Sequence, residues 1–322
     1  MNENNRGNAS SSHNLLKRIF RILLVSSVVI VLSLTVIGIK VFHDIRTTAD
    51  DTYETVERRS APTNTRQIHL SNQEPMSILL LGIDTGDLGR TEQGRSDTMI
   101  VATLNPTTSK STLVSLPRDT YTNIVGQHTY DKMNHAYAFG GAAMSMDTVE
   151  QLLNTPINHY VTINMRGIKE LVDAVGGIDV MNTSEFTYES TTFHEGKQGL
   201  TGEQSLKYIR MRYDDPKGDY GRQERQRQVI MAITKKMLSM NGLTSYRSIL
   251  NVLGENVKTD LTFNDMKTLA SGYRSALLNI KSDQMKGEGF MKDGISYQRI
   301  DASELSRVQE ELNSELKNVK DN

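Results

Sequence analysis

The sequence predicts a layered α/β/α domain with a central mixed sheet, preceded by a single N-terminal transmembrane helix. Three observations lead there. An uncharged stretch lies near the N-terminus, short apolar runs bounded by turn residues follow it, and segments of helical period fill most of the remainder.

The uncharged stretch is Ile22 to Ile39, within "LLKRIFRILLVSSVVIVLSLTVIGIKVF". At 1.5 Å per helical residue it spans roughly 27 Å, enough to cross a bilayer. Lys17, Arg18 and Arg21 precede it, and Asp44, Asp50, Asp51, Glu54 and Glu57 follow. This asymmetry puts the tail in the cytoplasm and the rest of the chain outside, at the cell membrane. A cleaved signal peptide is the rival reading. Against it, the run is long for such a peptide, and no convincing small-x-small cleavage site follows. Residues 40–75, including "RRSAPTNTRQIHLSNQEP", read as a polar stalk, which leaves 76–322 as the external domain.

Ser77 to Ile83, "SILLLGI", is a continuous apolar run and suits a strand buried on both faces. Thr98 to Leu104 and Ser111 to Leu116 are two more strands, joined by "NPTTSK" as a hairpin. His159 to Asn164 is a further strand. Helices are expected over 146–153, 167–175, 201–209, 221–240, 246–253, 263–278 and 302–316. Thr201 with Gln204 forms a capping box at the start of one of them.

Composition sets limits on function. The chain has 322 residues, 37% hydrophobic and 23% charged, with a net charge of -1. Such balance argues against bulk electrostatic binding of duplex nucleic acid, so any phosphate recognition is local. Cysteine is absent, which excludes a thiol nucleophile and a disulfide scaffold. There is no Walker A sequence and no Gly-rich dinucleotide fingerprint.

The first strand ends at Asp84, the second begins near Asp97, and the third ends at "PRD", Pro117 to Asp119. Asp84, Asp97 and Arg118 therefore share one edge of the sheet, where ligands of open α/β sheets bind. The bland alternative is that these aspartates cap loops or pair with arginines. His135 lacks partners at metal-ligand spacing and reads as a packed or hydrogen-bonded side chain.

"IRMRYDDPKGDYGRQERQRQ", Ile209 to Gln228, is crowded with arginine. With the apolar side of the second helix set by Val229, Ile230, Ile233 and Met237, Arg222 and Gln226 fall within roughly 40° of its centre. Arg225 and Arg227 lie about 100° to either side. Arg222 and Gln226 are thus expected to point inward, toward a permanent acid or an anionic ligand, with Arg225 and Arg227 flanking. Asp214, Asp215 and Asp219 keep a structural ion-pair network open as the other explanation.

"GIDTG", "GRSDTMIV", "SLPRDTY", "KMNHAYAFGG", "LVDAVGGIDV" and "YIRMRYDDPKGDYGRQERQRQ" resemble, in order and spacing, the LytR-CpsA-Psr family of bacterial cell-envelope proteins. The resemblance covers about Ser77 to Met240. It implies transfer of a phosphate-linked glycopolymer, such as wall teichoic acid or capsular polysaccharide, from a polyprenyl-pyrophosphate carrier to peptidoglycan, with Mg²⁺. The family's metal carboxylates look like Asp84 and Asp97. Its pyrophosphate and catalytic group looks like Arg118, Arg210, Arg212, Asp219, Arg222 and Gln226.

Arginine forks and a hard, oxygen-liganded cation suit the charge that develops as a phosphoanhydride breaks. Asp97 is the candidate base for a sugar hydroxyl. A hydrolase of the same lipid-linked donor shares every motif. A membrane-anchored transcriptional attenuator is the non-enzymatic alternative, but its tail is too short and polar to fold as a DNA-binding module.

Overall fold

The computed structural model describes residues 33, 35–58, 68–84, 94–212, 214–239 and 246–317. The chain divides into two compact units, Met1–Thr47 and Thr48–Asn322. In the first, residues 35–47 are helical. The expected transmembrane helix at 22–39 lies mostly outside the described residues. Among the described residues, no helix is long and apolar enough to cross a membrane.

The second unit is built on a six-stranded sheet whose strands, in spatial order, are β11 (Val257–Thr259), β6 (His159–Asn164), β1 (Met76–Ile83), β2 (Ser96–Asn105), β3 (Lys110–Ser115) and β12 (Ile280–Gln284). The short strands β8 (Phe186–Tyr188), β9 (Thr191–Phe193) and β10 (Gly196–Leu200) lie outside it. β1, β2 and β3 run antiparallel in turn, whereas β6 is parallel to β1 and β12 parallel to β3. The sheet is therefore mixed, as the α/β reading expects.

Alternation along the strands makes the layers. Leu79, Leu81, Val101 and Val114 face a core completed by Met146 and Val149 of α1 (His135–Leu153) and by Val308 and Leu312 of α8 (Ala302–Glu315). Ile78, Ile100, Ala102 and Leu113 face the other way, onto Leu261 and Tyr273, with Ile230 of α4 (Asp219–Ser239) packed against them. Both faces of the sheet are covered, so its strands read as near-continuous apolar runs. A further core joins α2 (Met165–Ala174), α3 (Gly202–Arg210), part of α4 and β7 (Ile178–Asn182).

Several elements differ from expectation. α1 begins at His135, eleven residues before the predicted start, because it continues through a kink at Gly140 and Gly141. Gly141 has φ 63° and ψ −151°, a conformation essentially restricted to glycine, which breaks the helical pattern read from side chains. The expected helix over 263–278 is two helices, α6 (Phe263–Gly272) and α7 (Arg274–Leu278), broken at the fully buried Tyr273. Its hydroxyl donates to the Glu74 carbonyl at 2.6 Å. Residues 48–58, in the stretch read as a stalk, contact the domain directly. The Glu54 N–H donates to the Thr259 carbonyl at 2.8 Å, and Arg58 pairs with Asp147 at 2.6 Å and Glu150 at 3.1 Å.

Candidate active site

The site starts where three strands end together. Gly82 of β1 lies so close to β2 that an added Cβ would sit 2.9 Å from the Thr98 Cβ, and the pairing register shifts between Gly82 and Ile83. Only glycine allows this approach. Just beyond it, the Asp84 carboxylate accepts from the Arg95 N–H at 2.8 Å. Asp97, the second residue of β2, pairs with Arg118, which follows β3. Asp84, Asp97 and Arg118 thus stand at one sheet edge, as their positions in the sequence predict.

The loop carrying Arg118 is held from below. Thr120 Oγ1 donates to the Pro117 carbonyl at 2.7 Å, and the Asn134 N–H donates to the Arg118 carbonyl at 3.1 Å. The "KMN" segment therefore serves as a clamp on Arg118. Next to it, Asp119 pairs with Lys132 at 2.9 Å and lies 3.9 Å from Arg118 Nε. Neither Asn134 nor Asp119 was singled out from sequence, although both fall inside quoted motifs.

The arginine-rich stretch closes over this edge. Asp219 is the first residue of α4, and its Oδ1 lies 2.6 Å from Arg222 Nη2 and 3.5 Å from Arg212 Nε. Arg212 follows α3, whose capping box at Thr201 and Gln204 is present as expected. Arg210 is the exposed last residue of α3.

The charges here are coupled across both halves of the site. Burial works to lower the Arg118 pKa, but Asp97, Asp119 and Asp219 outweigh it and leave it raised. At Arg222 burial prevails and the pKa is lowered. Asp219 offsets only part of the cost, while Arg118 and Arg212 add repulsion. Nε of both Arg118 and Arg222 is buried without a hydrogen-bond partner among the described residues. Cations that repel one another and hold unused, buried donors are suited to an anion with several oxygens.

Burial along α4 follows the predicted helical phases only in part. Gln226 is buried, and Arg222 is nearly so at the side chain. Arg225 and Arg227, expected on the flanks, are also buried, at 5% and 4% exposure. Arg225 pairs with Asp215 at 2.5 Å, donates to the Tyr208 and Met211 carbonyls, and lies over the Phe186 ring. Arg227 donates to Ser115, Ser282 and Gln284, and burial pushes its pKa down to about 10. A single apolar stripe cannot report a helix enclosed on three sides. The stretch therefore divides: Arg212 and Arg222 gather at Asp219 beside Arg118, while Arg225 and Arg227 bond to the surrounding scaffold.

One turn past Arg222, Gln226 lines a cavity of about 240 Å³ whose other walls are almost wholly apolar. Leu80, Gly82 and Thr98 form its sheet side, Ile168 and Leu171 come from α2, and Val229, Ile233 and Met237 from α4. Gly82 and Thr98 adjoin the aspartate-bearing strand ends, so the cavity opens beside the charged cluster.

An arginine cluster with two strand-end carboxylates stands beside an apolar cavity in a mixed α/β/α sandwich, an arrangement suited to an amphipathic phosphate ester. The chain belongs to the LytR-CpsA-Psr family: the LytR_cpsA_psr family pattern matches residues 39–314. It is 57% identical over 300 residues to the polyisoprenyl-teichoic acid–peptidoglycan teichoic acid transferase TagU of Enterococcus faecalis, covering 93% of this chain and 98% of that one. The crystal structure of Bacillus subtilis TagU superposes with a TM-score of 0.62 at 41% identity, covering 76% of this chain and 98% of that one. A structure of TagT bound to LI-WTA superposes with a TM-score of 0.67 at 27% identity, covering 81% and 99%.

Proposed function

We propose that this protein transfers a phosphate-linked glycopolymer, wall teichoic acid above the alternatives, from a polyprenyl-pyrophosphate carrier to peptidoglycan. The observation that carries this is the apolar cavity beside the arginine cluster. A pyrophosphate with a long hydrocarbon tail needs both, side by side. The names of the relatives support the same substrates.

In this reading Arg118, Arg212 and Arg222, with Arg210 at the rim and Gln226 at the cavity mouth, hold the pyrophosphate oxygens. The tail enters the cavity. The acceptor hydroxyl oxygen attacks the phosphorus that bears the glycopolymer, the bridging P–O bond breaks, and polyprenyl phosphate leaves. Asp97 takes the hydroxyl proton, and Asp219 keeps Arg212 and Arg222 aligned.

Asp84 and Asp97 would hold Mg²⁺. Among the described residues no group of three or more acidic or histidine side chains could hold a metal. Two carboxylates completed by donor phosphates and water form the usual donor set of that ion. When bound, it would neutralise charge on the pyrophosphate.

The basic residues before Ile22 and the length of the uncharged stretch support a single-pass anchor with the domain outside. Such an anchor would confine the domain to the layer that holds the carrier. Protease added to intact protoplasts should then digest the domain, and full protection would reverse the topology.

The decisive assay incubates the full-length protein with a lipid-pyrophosphate-linked donor, with and without peptidoglycan. Polymer should become covalently attached to peptidoglycan as polyprenyl phosphate appears. Equal cleavage without acceptor, and no attachment with it, would make the protein a hydrolase.

A further inference from the structure

The strand order puts the parts of the site in a row. The cavity takes its sheet walls from β11, β6, β1 and β2, the carboxylates sit at the ends of β1 and β2, and Arg118 follows β3. Beyond Arg118 comes β12, parallel to β3, and past its end the chain forms the hairpin β13 (Glu288–Lys292) and β14 (Ile295–Arg299).

This hairpin is tied to the site's own residues. The Gln298 N–H donates to the Asp119 carbonyl at 2.9 Å. Tyr220, next to Asp219, accepts from the Gly287 N–H at 2.7 Å and lies 3.0 Å from Gln298 Oε1. Against it lies a second hairpin, β4 (Tyr121–Ile124) and β5 (Thr129–Lys132), which leaves the Arg118 loop directly.

Between the hairpins four rings meet. Tyr121 has ring-centroid distances of 5.0 Å to Tyr297, 5.7 Å to Phe290 and 5.6 Å to Tyr130. Tyr297 is buried and forms the base, Phe290 is half-buried, and Tyr130 is 61% exposed. Acidic residues accompany the cations around them, two of which are ion-paired. Lys132 pairs with Asp119 and Lys292 with Asp293, while Arg299 lies over the Phe290 ring with Glu288 opposite it in the hairpin.

We propose that this aromatic ledge binds the glycan strand of the acceptor, with its pyranose faces on the Tyr130 and Phe290 rings. The inference rests on the transferase reading. In-line displacement puts the nucleophile opposite the leaving group. The leaving polyprenyl phosphate belongs to the cavity side, so the acceptor arrives from the other end of the row, where the ledge stands. The electron-rich faces of aromatic rings attract the polarised C–H bonds of a sugar ring. Matched charges suit an N-acetylated glycan with few net charges. A donor polymer with a phosphate in every repeat would instead call for unpaired cations.

The test uses the full-length protein, its Tyr130→Ala and Phe290→Ala variants, and the aromatic exchanges Tyr130→Phe and Phe290→Tyr. Transfer rates are measured against the concentration of uncross-linked peptidoglycan strands, and donor binding is titrated separately with the lipid-pyrophosphate donor. Each alanine variant should raise the acceptor KM about fivefold to tenfold with donor affinity unchanged, and Tyr130→Ala, at the exposed ring, should also keep the wild-type melting temperature. The aromatic exchanges should stay near wild type. An unchanged acceptor KM in both alanine variants, beside normal wild-type transfer, overturns the ledge alone. A parallel loss of donor affinity overturns it too, by assigning the rings to the donor polymer or to the fold. A wild type that transfers nothing to peptidoglycan removes the transferase reading with it.

Discussion

Asp219 and Arg222 lie one helical turn apart at the start of α4, their side chains meeting at 2.6 Å with 12% and 11% of each exposed. The pair is nonetheless unbalanced, because burial and the neighbouring Arg118 and Arg212 lower the Arg222 pKa despite Asp219. A stability-driven ion pair would have the opposite sign. Arg222→Ala should therefore leave the ligand-free melting temperature within about 2 °C of wild type while donor affinity falls roughly ten- to hundredfold. A large drop in melting temperature with unchanged affinity would make Arg222 structural.

Arg225 should behave in the reverse manner. It holds Asp215, whose side chain is 6% exposed, and closes the Tyr208 and Met211 carbonyls. Removing it strands a buried carboxylate, so Arg225→Ala should lower stability by about 3 to 5 kcal/mol in urea melts. A loss below about 1 kcal/mol would show that the loop repairs itself with water.

Arg118→Lys keeps the positive charge but not the planar fork that engages Asp97. The variant should fold with a normal melting curve and lose most of its transfer activity. Near-full activity would limit Arg118 to charge alone.

The cavity predicts a dependence on chain length. Val229 lines it and is 2% exposed, so Val229→Phe places a ring in the space assigned to the tail. Activity should fall strongly with a long polyprenyl donor and weakly with a short-chain one. Equal losses with both donors would mean that the tail lies elsewhere.

Asp131 supplies a pH test. Burial raises its pKa, but His135 at 2.7 Å, the Lys132 N–H and Tyr297 more than offset this and hold it below the ordinary 3.8. A carboxylate with a depressed folded-state pKa contributes stability that is present above 3.8 and is lost as pH falls through the lower value. The melting-temperature gap between wild type and Asp131→Asn should be fully present near pH 5 and close as pH falls below about 3.8. A gap that persists at pH 2.5 would count against the ionised pair.

The sequence by itself determined the apolar strands of the sheet and the gathering of Asp84, Asp97 and Arg118 at one edge. It also determined the capped helix ahead of the arginine stretch. These are local matters: a strand buried on both faces must be apolar along its length, and residues that end neighbouring strands must meet. The edge strand β12, "IKSDQ", carries no such pattern, since its pairing with β3 comes from backbone groups that any residue offers. The partners within the arginine stretch likewise follow only from tertiary structure. Arg222 and Arg225 are three positions apart on one helix, yet one shares Asp219 among neighbouring cations and the other has to itself a buried carboxylate carried on the preceding loop. What a guanidinium does depends on which charges the rest of the chain brings within a few ångströms of it, and that is fixed by packing between elements far apart in sequence.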